Sequence, residues 1–330
     1  MSDYQIGIVN SQSFGKYFPE HLEELRTLGA VTALQLSATA TVAEIGRKLA
    51  PYDCLITSVT PEFTADFFTK TPKLKLIARH GLGVNNIDLA AASKHQVYVT
   101  KVTPEVETEA VAEHAIALML ALGRLIPQAD YALRNTPWEK RVNFVGIELK
   151  ELTVGIIGYG HIGQRVGDIL RLGFGSQILV YDPYQSARKI QKSGGQKVTL
   201  EELLSQSDVI SLHANVTEAN QGLLGAREFS QLKPTVRVIN TARGALVDEG
   251  ALVKALKAKK IAGYAADVFE SEPLLQTSPL LAFENVVLTP HIGAYTAESL
   301  AGMGAKVVKD VRTVLKGEVP LEVVNKEVSQ

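Results

Sequence analysis

Along the chain, short continuous apolar runs alternate with stretches of helical spacing. The early runs are YQIGIV, DCLIT, LKLIA and VYV, and between them lie the helical stretches HLEELRTLGA and TVAEIGRKLA. The later runs are LTVGIIG, QILVYD, DVISL, VRVIN, IAGYAA and NVVLTP, again with helical segments between. Runs this short, apolar throughout rather than alternating, predict strands of parallel sheets covered by helices on both faces. Two such sets predict an α/β protein of two doubly wound domains.

One long helix is expected between the sets, from about Val106 to Leu125, with Pro104 before it and Pro127 after it. A second is expected from Thr296 to about Lys316. There Leu300, Met303, Val307, Val311 and Val314 keep the three-and-four spacing of one buried face. Both positions suit connectors between domains. No internal repeat or long Ser/Pro-rich linker interrupts the pattern.

Composition narrows the picture. The 330 residues are 46% hydrophobic and 21% charged, with a formal net charge of −1. That length suits two cores, and the charge balance gives no electrostatic footprint for nucleic acid or an acidic membrane surface. The single cysteine, Cys54, lies in DCLITS and is expected to be a buried structural thiol. The start, MSDYQIGIVN, lacks a signal-peptide pattern and reads as a first strand, so a cytoplasmic protein is expected. The most apolar window, AIALMLAL, is too short to span a bilayer. His21, within HLEE, reads as a solvated helix start. No HExxH or Cys/His cluster offers a metal site, and none is expected.

The segment LTVGIIGYGHIGQRVGDIL is a strand, a turn and the start of a helix. Gly158, Gly160 and Gly163 form G-x-G-x-x-G in the turn. The first glycine permits the bend, the second lets backbone amides approach a pyrophosphate, and the third lets helix pack on strand. The helix amino terminus adds amides and partial positive charge. QILVYD then ends in Asp182, nineteen residues past Gly163, where an acid takes the ribose hydroxyls of an adenine dinucleotide. An acid there repels the extra phosphate of NADP, so NAD is favoured, while Arg188 and Lys189 nearby keep NADP open. RHGLGVNNID is a second glycine-rich loop without that spacing. It reads equally as a turn before a helix capped by Asp88 and as a set of backbone amides suited to a small carboxylate.

Ligands of open parallel sheets bind beyond the carboxyl ends of the strands. Three residues of the second set fall there. In VINTARGALVDE, Arg243 stands between Ala242 and Gly244, where the chain leaves the core. Glu272 follows in DVFESEP, with Asp267 and Glu270 beside it, and His291 follows in LTPHIGA. A guanidinium grips a carboxylate at two points, an imidazole moves a proton, and a carboxylate orients that imidazole and favours its charged form.

With these motifs in this order, the chain resembles the D-isomer-specific 2-hydroxyacid dehydrogenases over nearly its whole length. The resemblance rests on RHGLGVNNID, GYGHIGQRVGDIL, NTARGALVDE, DVFESEP and LTPHIGA. It implies a Rossmann NAD-binding domain over 104–292 inserted into a discontinuous, flavodoxin-like substrate domain of 1–103 and 293–330. It implies Arg243, Glu272 and His291 as the catalytic set, with Asp267 on the nicotinamide amide. Cofactor contacts would come from Gly158, Gly160, His161, Ile162, Gly163, Asp182, Thr241 and Ala242. The backbone of Leu82 and Gly83, with Arg243, would hold the substrate carboxylate. The implied reaction is hydride transfer between NAD(H) and a 2-keto or D-2-hydroxy acid, with His291 as acid/base and Glu272 tuning it. A homodimer joined through the cofactor domain is also implied, with 124–145 as its arm.

Some positions depart from the family pattern. Asn85 stands where Asp is common, Asn215 replaces a proline, and Tyr295 replaces a small residue. Phosphoglycerate enzymes often carry an arginine after the strand that here reads DCLITSVT, where this chain has Thr57, Ser58, Val59 and Thr60. A substrate phosphate would then fall to Arg79, His80, or the partner subunit's Arg134 or the partner subunit's Arg141. The chain is expected to lack a carboxy-terminal regulatory domain, since it ends after the last helix. An alternative of another class is an NAD(H)-sensing, protein-binding module with little turnover. The intact Arg/Glu/His set and the lack of recruitment tails argue for the enzyme. A formate dehydrogenase is a poorer match, because glutamine stands there in place of Glu272.

Overall fold

The computed structural model describes residues 4–37, 39–135 and 137–329. The chain divides into two compact units, one of Met1–Glu107 with Ala294–Gln330 and the other of Thr108–Gly293. The first contains β1 (Gln5–Val9), α1 (Pro19–Arg26), β2 (Ala30–Leu34), α2 (Val42–Leu49), β3 (Cys54–Thr57) and α3 (Ala65–Thr69). It continues through β4 (Leu76–Arg79), α4 (Leu89–Lys94) and β5 (Tyr98–Thr100) into α5 (Pro104–Gly123), within which the boundary after Glu107 falls. The second unit carries α6 (Ile126–Asn135), β6 (Thr153–Ile157), α7 (His161–Ile169), β7 (Gln177–Tyr181), α8 (Ala187–Lys192) and β8 (Gln196–Lys197). After these come α9 (Leu200–Gln206), β9 (Val209–Leu212), α10 (Ala226–Gln231), β10 (Arg237–Asn240), α11 (Glu249–Lys257), β11 (Gly263–Ala266) and β12 (Val286–Leu288). The last long helix, α12 (Ala297–Leu315), belongs to the first unit.

Both sheets are parallel throughout. The first has the order β2-β1-β3-β4-β5, with Ile6 opposite Val31 on one side and Cys54 on the other. The second has the order β12-β11-β10-β9-β6-β7-β8. Each is covered on both faces, as the unbroken apolar runs predict. In the first unit Ile45, Phe67 and Ala92 of α2, α3 and α4 pack on one face, and Leu25 of α1 with Val307 and Val311 of α12 on the other. In the second, Leu203, Phe229 and Leu252 of α9, α10 and α11 cover one face. Met119, Val166 and Ile190 of α5, α7 and α8 cover the other. Each of these side chains larger than alanine contributes roughly 1.5–3 kcal/mol when fully buried. Cys54 is fully buried in β3, and burial pushes its thiol up to about 12, so it stays a protonated packing group.

Three expectations need correction. β2 and β8 are absent from the sequence reading because both are sheet edges. None of the five β2 residues is buried, and both β8 residues are exposed. Pro104 and Pro127 lie inside helices rather than outside them, Pro104 as the first residue of α5 and Pro127 as the second of α6. A first-turn amide has no helical acceptor, so proline is tolerated there. His21 is buried, not solvated, because α12 brings Gly304 against it. A Cβ at Gly304 would lie 2.1 Å from His21 Nδ1. Among the described residues no single helix is long and apolar enough to cross a membrane.

Candidate active site

In the second unit the strand order reverses at β6, which pairs with β7 on one side and β9 on the other. Crevices at such reversals, beyond the carboxyl ends of the strands, receive ligands in open α/β sheets. The glycine turn lies there. Gly158 has φ +88, and a Cβ on it would come within 2.4 Å of the Ala214 nitrogen. Both the bend and the close approach of the loop after β9 therefore require glycine. Gly163 is buried and abuts the Gly158 carbonyl. Gly160 is the N-cap of α7, with no side chain capping the helix, and a Cβ there would meet nothing within 4 Å. His161 is exposed at the first helical position, and Ile162 packs partly into the core beneath.

Asp182 is held at the end of β7 by three backbone amides. Its Oδ2 accepts from Tyr159 N at 2.7 Å, and its Oδ1 from Tyr184 N at 2.8 Å and Gln185 N at 3.1 Å. Thr241 Oγ1, in the turn after β10, is buried with no hydrogen-bond partner among the described residues. An uncapped helix start on an open glycine turn, an acid at the second strand and an orphaned hydroxyl fit a dinucleotide.

At the other half of the sheet, β10, β11 and β12 are adjacent, so residues that follow them share one edge. The turn carrying Arg243 is built by Asn240, a fully buried residue that the sequence reading passed over. Its Oδ1 accepts from Ala242 N at 3.0 Å, and its Nδ2 donates to the Arg243 carbonyl at 2.9 Å. The small neighbours of Arg243 have a reason too. A Cβ on Gly244 would fall 1.9 Å from the Phe269 carbonyl carbon, so the Arg243 turn lies directly on the turn that leads to Glu272. Arg243 Nη1 donates to its neighbour Ala242 O at 2.6 Å, which fixes the plane of the guanidinium.

Glu272 Oε1 accepts from Phe269 N at 3.0 Å, and its Oε2 lies 2.6 Å from His291 Nδ1. A carboxylate only accepts, so the Nδ1 proton points at Glu272 and Nε2 is the nitrogen left to exchange a proton with a ligand. Of the three acids in DVFESEP, only Glu272 meets His291 through its carboxylate. Glu270 is exposed, and its amide donates to Glu249. Asp267 is almost wholly buried. It accepts from Thr289 Oγ1 at 2.6 Å, Ile292 N at 2.8 Å and Gly293 N at 2.7 Å, with His114 Nε2 at 3.4 Å. Burial alone would raise its carboxyl, but the His114, Thr289, Ile292 and Gly293 donors outweigh that and hold it below the ordinary carboxylate range. His114 and Thr289 also escaped the sequence reading: His114 lies within a helix, and Thr289, although it follows β12 in LTPHIGA, carries no charge to mark it.

The first unit carries the loop RHGLGVNNID after β4. Asp88 caps α4 through Ala91 N at 2.9 Å, as one of its two readings predicts. Arg79 is buried and turns back on the loop. Its Nε donates to Gly83 O at 2.8 Å, and its Nη1 to Thr57 O at 3.1 Å and His80 O at 2.6 Å. His80 is buried as well, with Nδ1 3.0 Å from Ser11 Oγ. Burial, then the charges of Arg79 and His21, push its imidazole down to about 3. Leu82 packs against Val102, Leu300 and Met303. Among the described residues, no group of three or more His, Cys, Asp or Glu side chains is placed to hold a metal ion.

Comparison with known proteins adds the family. Residues 116–293 match the family model for the D-isomer specific 2-hydroxyacid dehydrogenase, NAD binding domain. The chain belongs to the D-isomer-specific 2-hydroxyacid dehydrogenases. It is similar to the glyoxylate reductase of Thermococcus litoralis, 41% identical over 85% of this chain and 86% of that protein. A D-3-phosphoglycerate dehydrogenase from Archaeoglobus fulgidus is 39% identical over 83% of this chain, which spans about half (51%) of that longer protein. The NADPH-dependent glyoxylate/hydroxypyruvate reductase of Sinorhizobium meliloti, solved with NADP and malonate, superposes with a TM-score of 0.82. It is 29% identical and covers 99% of this chain and 98% of its own. As a 2-hydroxyacid dehydrogenase, the chain is an oxidoreductase of CH–OH groups with a nicotinamide-dinucleotide domain.

Proposed function

We propose that this dehydrogenase reduces a short, unphosphorylated 2-keto acid to its D-2-hydroxy acid with NADH, and runs the reverse oxidation with NAD. The observation that carries the reading is the 2.6 Å contact of His291 Nδ1 with Glu272, on the turn against which the Arg243 turn packs. The bound dinucleotide supplies the hydride. Arg243 grips the carboxylate at two points and polarises the adjacent carbonyl. His291 gives its Nε2 proton to the carbonyl oxygen and takes it back in the oxidative direction, while Glu272 keeps Nδ1 protonated and the ring in one orientation. Asp267, held anionic, accepts from the nicotinamide amide. Gly158, Gly160, His161, Ile162 and Gly163 receive the pyrophosphate, with Thr241 and Ala242 beside it. Asp182 receives the ribose hydroxyls and disfavours a 2′-phosphate, which supports NAD over NADP.

The preference for an unphosphorylated acid rests on the loop of the first unit. Its Leu82 and Gly83 amides suit a carboxylate. Arg79, however, spends donors on Gly83, Thr57 and His80 carbonyls, and His80 is neutral at any physiological pH. Donors turned onto the protein's own carbonyls and a neutral imidazole support an unphosphorylated substrate. Initial rates of NADH oxidation with hydroxypyruvate, glyoxylate, pyruvate and phosphohydroxypyruvate test both points. The expected result is turnover of at least one of the first three, with phosphohydroxypyruvate at least about tenfold lower in kcat/KM and NADPH poorer than NADH. A preference for phosphohydroxypyruvate or for NADPH would overturn the respective assignment.

A homodimer through the cofactor-binding unit is part of the same reading. Six of the fourteen exposed large apolar side chains among the described residues fall between positions 126 and 145: Ile126, Tyr131, Leu133, Trp138, Val142 and Val145. So many exposed apolar side chains in one short stretch support an interaction surface there. Sedimentation equilibrium is expected to give twice the chain mass, and a monomer mass at micromolar protein would refute it.

A further inference from the structure

His291 has φ +54, in the left-handed region that non-glycine residues enter uncommonly, histidine more readily than most. A backbone in that region persists only when its surroundings hold it there. The holding groups come from both sides of His291 and converge on one carboxylate. Before it, Thr289 Oγ1 reaches Asp267 Oδ1 at 2.6 Å. After it, Ile292 N reaches Oδ1 at 2.8 Å and Gly293 N reaches Oδ2 at 2.7 Å. His291 N itself meets the carbonyls of Asp267 at 2.9 Å and Thr289 at 3.0 Å. Asp267 is thus a staple across the turn that carries the imidazole.

Thr289 also faces His114, whose Nε2 lies 2.9 Å from Oγ1. A hydroxyl has one proton, and here it is committed to the carboxylate, so Thr289 accepts from His114 Nε2–H. His114 belongs to α5, a helix packed into the core of this unit. The hydroxyl therefore makes the shorter of two links from a rigid helix to the carboxylate that staples the turn, the other being His114 Nε2 itself at 3.4 Å from Asp267 Oδ1.

We propose that Thr289, bridging His114 and Asp267, is a positioning residue that sets the orientation of the His291 imidazole toward Glu272. The inference rests on the reading of His291 as acid/base, and its test separates the two. Thr289→Val replaces a half-buried hydroxyl by a methyl of the same shape, so the chain is expected to fold. Thr289→Ser restores the hydroxyl. Three quantities are read: kcat, the NADH dissociation constant by fluorescence titration, and the downfield proton resonance of His291 Nδ1–H, assigned by its loss in His291→Ala.

In Thr289→Val, kcat is expected to fall about ten- to a hundredfold, as small misplacements of a reacting group do. The NADH constant should stay within about twofold, and the downfield resonance should shift or vanish; Thr289→Ser should return all three toward the parent. A Thr289→Val protein with the parental resonance overturns the proposal. So does one whose weakened NADH binding accounts for the whole loss of rate. If the parent enzyme turns over no keto acid, the proposed reaction falls, and the resonance alone then decides the strut.

Discussion

His291→Ala is expected to lower kcat for keto-acid reduction by about 10²–10⁴-fold, the range that a positioned acid or base contributes. The lesion should be confined to the chemical step. His291 is only part-buried, and Glu272 keeps its second contact, from Phe269 N at 3.0 Å, when the imidazole is gone. Alanine also leaves the backbone bonds of Ile292 and Gly293 to Asp267 in place. Thermal midpoint and NADH affinity should therefore change little while the rate collapses. Stopped-flow measurement under single turnover, with NADH binding titrated separately, distinguishes the outcomes. A variant that reduces keto acid within about tenfold of the parent rate would show that the proton comes from another group, and the 2.6 Å pair would then be structural.

The sequence carries this chemistry unevenly. Strands that lie inside a sheet are legible because both faces are covered. β3, β4, β9 and β11 are buried at every position, and their residues read as unbroken apolar runs. β2 and β8 are edges with exposed residues, and nothing in AVTAL or QK separates them from loop. The groups that carry charge at strand ends are legible for a related reason. Arg243 and His291 interrupt small or apolar surroundings where a charge has no structural excuse, whereas Glu272 stands among Asp267 and Glu270 and is singled out by the family motif. Their supports are not legible. Asn240 closes the Arg243 turn with both ends of its amide, but in sequence it is one polar residue at the end of a strand. His114 and Thr289 act on Asp267 from 153 residues and 22 residues away. Such contacts exist only once α5 and β12 have packed, so no local pattern announces them.

Arg79 shows the converse limit of sequence. In sequence it is a cation beside a glycine loop, a natural candidate for a phosphate. In the fold, a buried guanidinium must satisfy its N–H groups, and Arg79 does so on the carbonyls of His80 and Gly83 in its own loop and of Thr57 at the end of β3. Residue type alone does not distinguish an arginine that faces a ligand from one that builds the wall behind it.

Arg243→Lys should be the second large effect, although it conserves charge. The turn itself should survive the change. Asn240 binds the backbone carbonyl of residue 243 and the amide of Ala242, neither of which the substitution alters. What is lost is the planar fork. An ammonium offers a point charge on a flexible stem and cannot make two parallel bonds to a carboxylate. It also cannot reproduce the Nη1 bond to Ala242 O that fixes the plane of the guanidinium. A hydrogen bond to a charged group is worth about 1.5–3 kcal/mol. Losing one of two corresponds to a fall of roughly 10–10²-fold in kcat/KM at about 1.4 kcal/mol per tenfold, to which the lost orientation adds. The division of that loss is informative. A rise in KM alone would mean that Arg243 holds substrate and transition state equally, as a carboxylate anchor does. A fall in kcat as well would mean that the guanidinium also polarises the carbonyl as negative charge develops on its oxygen. Near-parental kcat/KM would remove Arg243 from the substrate altogether. Asn240 would then be holding a turn for some purpose other than presenting a guanidinium.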